Sequence, residues 1–359
     1  MNEDDLIGKI KAIYEKRARQ PALPEIWIGD DAAVVLVGDT GRKDGFWEQG
    51  RSSNVSSPHD LQLLLMSTDA VVEGVHVDLD VCTLGDMGWK ALSVAVSDIA
   101  AMGGRPLCAL VTVCSPRGAD IEVLSEGLAD ASLEWDCPVV GGDLSAASEI
   151  SVVVMVTGTL GTSNPPAVLR SGANPGDYLM LTGPCGASAA GLRLLRQEKD
   201  ESVKLGRGSN LGTGGGSELG SSNRWNESVS NLTEDILKSA YRRPRARLKE
   251  GWHARLAGAT SLMDISDGVS IDLIRMARAS NVGLEIDHIP VVDGATIDEA
   301  LGGGEDYELL LATPDPGRVS LEFDKAGLRH PITIGRCTDL VGNYRMGTGE
   351  LLPTGWSHF

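Results

Sequence analysis

The chain of 359 residues lacks paired cysteines, an excess of basic residues and a long apolar run. Its six cysteines include no CxxC pair, so neither a disulfide framework nor a zinc site is indicated, and we expect them to be reduced and mostly buried. Because 50 acidic residues outnumber 32 lysines and arginines, the formal charge of -18 disfavours binding to nucleic acid or to an anionic membrane surface. No apolar run approaches the roughly 18 residues of a membrane span, and the acidic N-terminus is unlike a signal peptide. These features predict a cytoplasmic protein.

Two common phosphate-binding signatures are also absent. The sequence contains neither a GxxxxGK[ST] loop nor the HRD and DFG motifs, which excludes a Walker-type nucleoside triphosphatase and a protein kinase. What is present is an ordinary globular composition, with 42% hydrophobic and 23% charged residues, in a chain long enough for two domains.

Apolar runs and helical periodicity predict an α+β fold. In the first half we predict strands over 32–37, 61–67, 107–113 and 150–157 and helices over 84–102 and 121–135. Turn signals on both sides of Arg170 predict a domain boundary there, with domains at 1–162 and 170–359. In the second half we predict strands over 178–182, 261–263, 282–286 and 307–312, and helices over 187–197, 232–241, 245–256 and 271–279. An N-terminal helix over 2–20, a surface insertion over 38–60 and a flexible glycine- and serine-rich excursion over 206–222 complete the prediction.

Several carboxylates share one setting, beside Gly, Ser or Thr and just after an apolar strand or at a helix end. Short acidic side chains with hydroxyl groups nearby suit a hard cation such as Mg²⁺, and His and Cys are missing from these motifs. Each carboxylate alone could be a helix N-cap or an Asx-turn. The set favours a cation site, because Asp98 ends a nearly continuous apolar helix, where an unpaired carboxylate is costly. The set comprises Asp30, Asp31, Asp69, Asp98, Asp143, Asp264, Asp267, Glu305 and Asp306.

Phosphates are the usual partners of protein-bound Mg²⁺, so a magnesium site predicts residues nearby that bind phosphate. Arg170 could pair with a phosphate or be a surface arginine, and the 182–188 turn could bind an anion or be only a tight turn. His76 follows Asp69 closely enough to face the same site. Trp356 stands near the C-terminus, where it is ordered only if it packs against the core or a ligand.

Eight motifs together resemble one known family. In family order they are Gly29-Asp30-Asp31-Ala32, Ser67-Thr68-Asp69, Lys90-Ala91-Leu92, Ser97-Asp98-Ile99-Ala100-Ala101-Met102-Gly103, Gly141-Gly142-Asp143, Arg170-Ser171-Gly172-Ala173, Asp264-Ile265-Ser266-Asp267-Gly268 and Gly303-Gly304-Glu305-Asp306-Tyr307-Glu308-Leu309. Nearly end to end, the chain resembles the thiamine-monophosphate kinases of the aminoimidazole-ribonucleotide-synthetase-like superfamily. The resemblance implies transfer of the γ-phosphoryl group of ATP to thiamine monophosphate, giving thiamine diphosphate. It also implies a homodimer of two-domain α+β subunits, with N-terminal sheets that pair across the dimer into a barrel and a C-terminal mixed sheet covered by helices.

The resemblance also assigns roles by position. It implies that several Mg²⁺ ions are bound, with eight ligand residues: Asp31, Ser67, Thr68, Asp69, Asp98, Asp143, Asp264 and Asp267. ATP, the co-substrate, would contact Gly142, Asp143, Arg170 and Ser266. Thiamine monophosphate would contact His76, Glu305 and Trp356. No general base is expected, because the attacking phosphate, with a second pKa of about 6, is mostly deprotonated at neutral pH.

Two alternatives stay open from the sequence. The chain could be another ATP-using member of the superfamily, such as a selenophosphate or aminoimidazole-ribonucleotide synthetase. The former is disfavoured because the first cysteine, Cys82, lies outside a glycine-rich N-terminal segment. The chain could instead be a catalytically silent scaffold that binds divalent cations for stability.

Overall fold

The computed structural model describes residues 7–9, 11–12, 25–26, 30–37, 62–161, 165–208 and 221–356. The predicted N-terminal helix lies largely outside the described residues. The 38–60 insertion and residues 209–220 of the glycine- and serine-rich stretch lie wholly outside them.

The first part of the chain forms a five-stranded sheet with two helices. In chain order the elements are β1 (Ala33–Val37), β2 (Gln62–Val72), α1 (Leu84–Ala101), β3 (Arg105–Ser115), α2 (Ile121–Glu134), β4 (Val139–Ala146) and β5 (Ser151–Thr159). The strand order is β1-β2-β5-β3-β4; β3 and β4 run parallel, and the other neighbours run antiparallel. Helices α1 and α2 cover the face whose side chains form the core.

Strand β4 is an element that the sequence prediction missed. Its residues 139–146 are all exposed, and two glycines and a carboxylate interrupt its apolar run, so it shows no buried-strand pattern. As a result Gly141, Gly142 and Asp143 lie within a strand and not in a loop after one. Strand β2 is likewise longer than predicted, so Asp69 lies inside it.

The second part forms a seven-stranded mixed sheet with helices. Its elements are β6 (Tyr178–Leu181), α3 (Ala187–Gly208), α4 (Ser221–Arg242), α5 (Leu248–Ala257), β7 (Ser261–Asp264), α6 (Val269–Ser280), β8 (Gly283–Ile286), α7 (Ile297–Gly302), β9 (Leu309–Thr313), α8 (Pro316–Lys325), β10 (Ile332–Thr338), β11 (Tyr344–Met346) and β12 (Gly349–Glu350). The strand order is β12-β11-β8-β10-β6-β9-β7, with β8 and β11 parallel. The α+β prediction is therefore confirmed, whereas the domain boundary at 162–170 stays a prediction.

The second part also departs from the sequence prediction. Helix α3 ends at Gly208 and helix α4 begins at Ser221, so both ends of the predicted 206–222 excursion are helical. Strand β10 lies in the middle of the sheet but was not predicted, because Gly335 and the exposed Arg336 interrupt its apolar pattern. Helices α7 and α8 and the short strands β11 and β12 were also missed.

Helix α1 is the central element of the molecule. Nearly all of its residues are buried, because it packs on the first sheet, on α2 and also on α5 and β7 of the second part. Its approach to α2 depends on glycine: a Cβ at Gly127 would lie 1.8 Å from the carbonyl oxygen of Gly85. A capping box of Thr83 and Asp86 fixes where the helix begins. Helix α1 thus presents side chains to both parts of the chain.

Cysteine burial agrees with the prediction. Cys82, Cys137, Cys185 and Cys337 are buried, Cys108 and Cys114 are half-buried, and all six are free thiols. Among the described residues, none of the helices combines the length and the apolar character needed to cross a membrane.

Candidate active site

Carboxylates from three separate elements converge between the two sheets. Asp31 precedes β1, Asp98 lies in the last turn of α1, and Asp264 ends β7. One carboxylate oxygen from each lies within 4.8 Å of the others. The Oδ2 atom of Asp31 is buried and accepts no hydrogen bond. We call these three residues the acidic cluster.

Burial changes the ionisation of the acidic cluster. Desolvation raises the pKa of Asp98 well above its usual range, and the negative charge of Asp69 raises it further. Desolvation also raises the pKa of Asp264 well above its usual range, with Asp31 as the next cause. Carboxylates that are concentrated away from water in this way are strongly stabilised by a bound cation.

Two serines fix the orientation of the cluster. The Ser67 hydroxyl donates a hydrogen bond to Asp98 Oδ2, and the Ser97 hydroxyl donates to Asp264 Oδ2 at 2.5 Å. Ser67 and Asp69 project to the same face of β2, because they are two residues apart on a strand, whereas Thr68 projects to the opposite face. The structure therefore brings Ser67 and Asp69 to the cluster and leaves the Thr68 side chain on the other side.

Arg170 lies at the cluster and not on the open surface. Its guanidinium donates a hydrogen bond through Nη2 to Asp31 Oδ1, and its backbone N–H donates to Asp30 Oδ1 at 3.1 Å. The side chain is 25% exposed, and Nε is buried with no hydrogen-bond partner. Nε lies 4.0 Å from Asp30 Oδ1, so Arg170 partly neutralises both Asp30 and Asp31, and its partly exposed guanidinium keeps N–H donors for a further anion.

A cavity of about 400 Å³ opens beside the cluster. Asp69, Ser266 and Asp267 line the part next to the carboxylates, and the three residues predicted to contact thiamine monophosphate also line it: His76, Glu305 and Trp356. The structure therefore brings those three together, although up to 280 residues separate them in the sequence. Tyr241 and Val94 add an aromatic and an aliphatic wall, so the cavity offers both apolar surface and carboxylates.

Hydrogen bonds with the backbone fix the tautomer of His76 and the position of Trp356 in the cavity. His76 Nδ1 accepts the N–H of Val72 at 3.1 Å, so the proton of the neutral ring is on Nε2. The backbone N–H of Trp356 donates to the carbonyl oxygen of Asp267 at 3.0 Å, which ties the C-terminal segment to the site. The Trp356 residue is still 50% exposed, so its ring has apolar surface for a ligand to cover.

Asp267 lies on the cavity wall but outside the acidic cluster. Its carboxylate pairs with Arg275, which also contacts Asp272 Oδ1 at 3.0 Å. Its predicted role as a magnesium ligand therefore requires a site on the cavity side of this ion pair.

Gly142 and Asp143 are remote from the cluster within one chain. Strand register aligns Asp69 with Val154, Val111 and Gly142 in one row across β2, β5, β3 and β4. Three strand spacings separate the ends of this row, or about 14 Å. Asp143 is the next residue along β4, so its side chain projects to the other face, where it accepts a hydrogen bond from Ser145 at 3.0 Å.

Sequence reasoning missed three residues of the site. Ser97 and Lys90 both lie in motifs quoted above, but neither motif showed that Ser97 contacts Asp264 or that Lys90 contacts Glu305. Tyr241 carried no sequence signal, because an aromatic residue on an amphipathic helix is usually a core residue.

The sequence and fold of this chain are similar to those of known proteins. The family model described as "AIR synthase related protein, N-terminal domain" matches residues 29–160, so this part of the chain is similar to that domain. The chain is 30% identical over 345 residues to the thiamine-monophosphate kinase of Bacillus subtilis (strain 168), covering 93% of this chain and 90% of the relative. It is 31% identical over 311 residues to that of Aquifex aeolicus (strain VF5), covering 82% and 88%. The solved structure of "AaThiL complexed with AMPPCP and TMP" matches with a TM-score of 0.72 and 28% identity, over 100% of this chain and 97% of that chain. The chain belongs to the thiamine-monophosphate kinase family.

Proposed function

We propose that this chain transfers the γ-phosphoryl group of ATP to thiamine monophosphate in one direct in-line step, with several Mg²⁺ ions at the acidic cluster. The observation that carries the proposal is the position of the cluster beside a cavity lined by His76, Glu305 and Trp356. Family membership supports the reaction, and this arrangement supports a substrate site beside the metal-binding carboxylates.

The residues at the cluster suit Mg²⁺. Carboxylate and hydroxyl oxygens are the ligands that Mg²⁺ prefers, and the unbonded Asp31 Oδ2 leaves an acceptor for a cation. Mg²⁺ would be held by Asp31, Asp69, Asp98 and Asp264, with Ser67, the backbone of Thr68, and Asp267 as further ligands. When bound, the ions neutralise the charge of the two phosphate-bearing reactants so that they can approach.

The chain itself positions the reactants. The guanidinium of Arg170 is partly exposed, so its remaining N–H groups can donate to a nucleotide phosphate while Nη2 stays on Asp31. In the cavity, the indole of Trp356 and the carboxylate of Glu305 suit a cationic aromatic ring such as the thiazolium of thiamine. No side chain needs to act as a general base, because the attacking phosphate oxygen is already deprotonated at neutral pH.

We propose further that the enzyme is a homodimer and that Asp143 and Gly142 serve the site of the second copy. Strand β4 is exposed along its whole length and ends the sheet, and its residues Val140 and Leu144 are 62% and 71% exposed. Apolar exposure of this kind at a sheet edge favours pairing with another sheet, as in a barrel across a dimer. Pairing of β4 with the second copy brings Asp143 towards the acidic cluster of that copy, whereas Asp143 does not reach the cluster of its own chain.

Mixing two inactive variants tests the shared site. In an equimolar mixture of reassorted Asp69→Asn and Asp143→Asn subunits, each mixed dimer has one site that combines an intact Asp69 with an intact Asp143. We expect recovery of about a quarter of wild-type activity, because about half of the dimers are mixed and half of their sites are intact. No recovery, in subunits shown to have exchanged, would mean that Asp143 serves its own chain.

The metal assignment is tested by Asp69→Asn, which removes a charge with little change in shape. We expect most of the turnover to be lost at all Mg²⁺ concentrations while the fold is retained. Asp339→Asn, at an exposed carboxylate that does not line the cavity, is the matched control and should turn over normally. Wild-type turnover of Asp69→Asn at saturating Mg²⁺ would remove Asp69 from the site. If the chain were instead a catalytically silent scaffold that binds cations for stability, it would bind no ATP, with or without Mg²⁺.

A further inference from the structure

One face of α1 runs along the whole site. Lys90, Val94, Ser97 and Asp98 recur at the spacing that places side chains on one helix face. Val94 lines the cavity, while Ser97 bonds a member of the acidic cluster and Asp98 belongs to it. Lys90 stands about 12 Å from Asp98 along the helix axis, at the opposite end of this face.

Lys90 is a buried cation with three defined partners. It is 1% exposed, and its Nζ donates hydrogen bonds to Glu305 Oε2 at 2.9 Å and to the carbonyl oxygen of His76 at 3.1 Å. The same Nζ lies 4.1 Å from the centroid of the Tyr241 ring. These partners come from three separate segments, and all three line the cavity. One ammonium therefore joins three walls of the pocket.

Glu305 needs such an anchor. Its φ of 58° is in the left-handed region, which is unfavourable for a residue other than glycine and persists only where the surroundings hold it. Its backbone N–H donates to the carbonyl oxygen of Ser266 at 2.7 Å, and its side chain is fixed at Oε2 by Lys90. The other oxygen, Oε1, then has a defined position from which to accept an N–H or face a cationic ring.

The ion pair also adjusts the charge of the pocket. A lone carboxylate at Glu305 would attract a cationic ring but would repel the phosphate of the same substrate. With the Lys90 ammonium beside it, the carboxylate keeps its directional acceptor while the pair adds no net charge. This arrangement suits a substrate that carries a cation and a phosphate on one small molecule.

We propose that Lys90 is a positioning residue for the ring end of thiamine monophosphate, holding Glu305 and the His76 segment in the arrangement that binds it. The inference rests on the proposed function, since it concerns the same substrate. It predicts that replacing Lys90 weakens the binding of thiamine monophosphate and leaves the binding of ATP unchanged. The ATP phosphates are assigned to the acidic cluster, at the Asp98 end of the α1 face.

The test is a comparison of Michaelis constants for the two substrates. Wild-type enzyme is assayed first with ATP, Mg²⁺ and thiamine monophosphate; absence of thiamine diphosphate at this stage would overturn the proposed function and leave no substrate for Lys90 to position. In Lys90→Met we expect KM for thiamine monophosphate to rise at least about tenfold and KM for ATP to change less than about twofold. Lys90→Arg, which keeps the charge, should recover part of the loss.

Two further variants separate positioning from simple stability. Lys238→Met removes another largely buried lysine, bonded to Glu198 at 2.5 Å, and should lower the melting temperature without changing either KM. If Lys90→Met does not fold, Lys90→Gln, which also removes the charge but keeps an N–H donor and leaves Glu305 intact, carries the same expectation. An unchanged KM for thiamine monophosphate in a folded variant, or an equal rise for both substrates, overturns the proposal.

Discussion

Replacing Asp98 with asparagine separates what the acidic cluster costs the fold from what it contributes to binding. Asp98 lies with Asp31 and Asp264 inside a 4.8 Å triangle of carboxylate oxygens. At 4.8 Å and an effective dielectric constant of about 20, each like-charge pair is unfavourable by about 3.5 kcal/mol when both groups are ionised, and proton uptake lowers the actual cost. Asp98→Asn removes one charge from two such pairs while keeping the size of the side chain.

We therefore expect Asp98→Asn to be more stable than wild type without divalent cations, by about 1 to 3 kcal/mol. The order should reverse when Mg²⁺ and ATP are added, because ligand that binds only the folded state stabilises wild type more than the variant. Scanning calorimetry in a chelator and then in Mg²⁺ with ATP measures both melting temperatures. Asp339→Asn is the control and should follow wild type in both conditions. A variant that melts below wild type in chelator, or that gains as much from Mg²⁺ and ATP, would refute the account of the cluster as a cation site.

Three further predictions concern the substrate pocket, the helix packing and pH dependence. Trp356→Ala should weaken binding of thiamine monophosphate by roughly 1 to 3 kcal/mol and leave ATP binding unchanged, as measured by titration calorimetry with each ligand; equal losses would make Trp356 a packing residue. Gly127→Ala should lower the free energy of unfolding by about 3 kcal/mol or more, because the added Cβ would meet the Gly85 carbonyl oxygen at 1.8 Å; urea unfolding with near-wild-type stability would contradict this contact. Burial raises the pKa of Asp306 to about 7, so the folded state holds its proton more tightly than the unfolded state. This contribution to stability is complete below about pH 4 and is lost as the pH rises through about 7, at up to about 1.4 kcal/mol per pH unit. Wild type should therefore lose stability relative to Asp306→Asn between these pH values, and parallel pH profiles would show that the buried carboxyl does not titrate there.

The sequence predicted best the elements whose burial pattern is regular. Helix α1 was predicted over 84–102 and spans Leu84–Ala101, because its continuous apolar character reflects burial on nearly all sides. Strand β4 was missed for the opposite reason, since an exposed strand with two glycines has no apolar pattern. Strand β10 lies in the middle of its sheet but was missed, because Gly335 and the exposed Arg336 interrupt its apolar sequence pattern.

The candidate site was predictable as a set of residues but not as an arrangement. Motifs indicated Asp31, Asp98 and Asp264, which the fold then placed within one cluster. Spacing could not show that Arg170 pairs with Asp31, because that contact joins residues 139 positions apart. The position of Asp143 on the far strand of the sheet was equally hidden, because it follows from strand order and register and not from local sequence.

The most direct test of the account follows a labelled phosphoryl group. Purified enzyme is incubated with Mg²⁺, thiamine monophosphate and ATP labelled at the γ-phosphate, and the thiamine phosphates are separated by chromatography. The account predicts that the label appears in thiamine diphosphate, that formation requires Mg²⁺, and that no labelled protein accumulates, since transfer is direct. Label released only as inorganic phosphate, or retained on the protein as an intermediate, would contradict it.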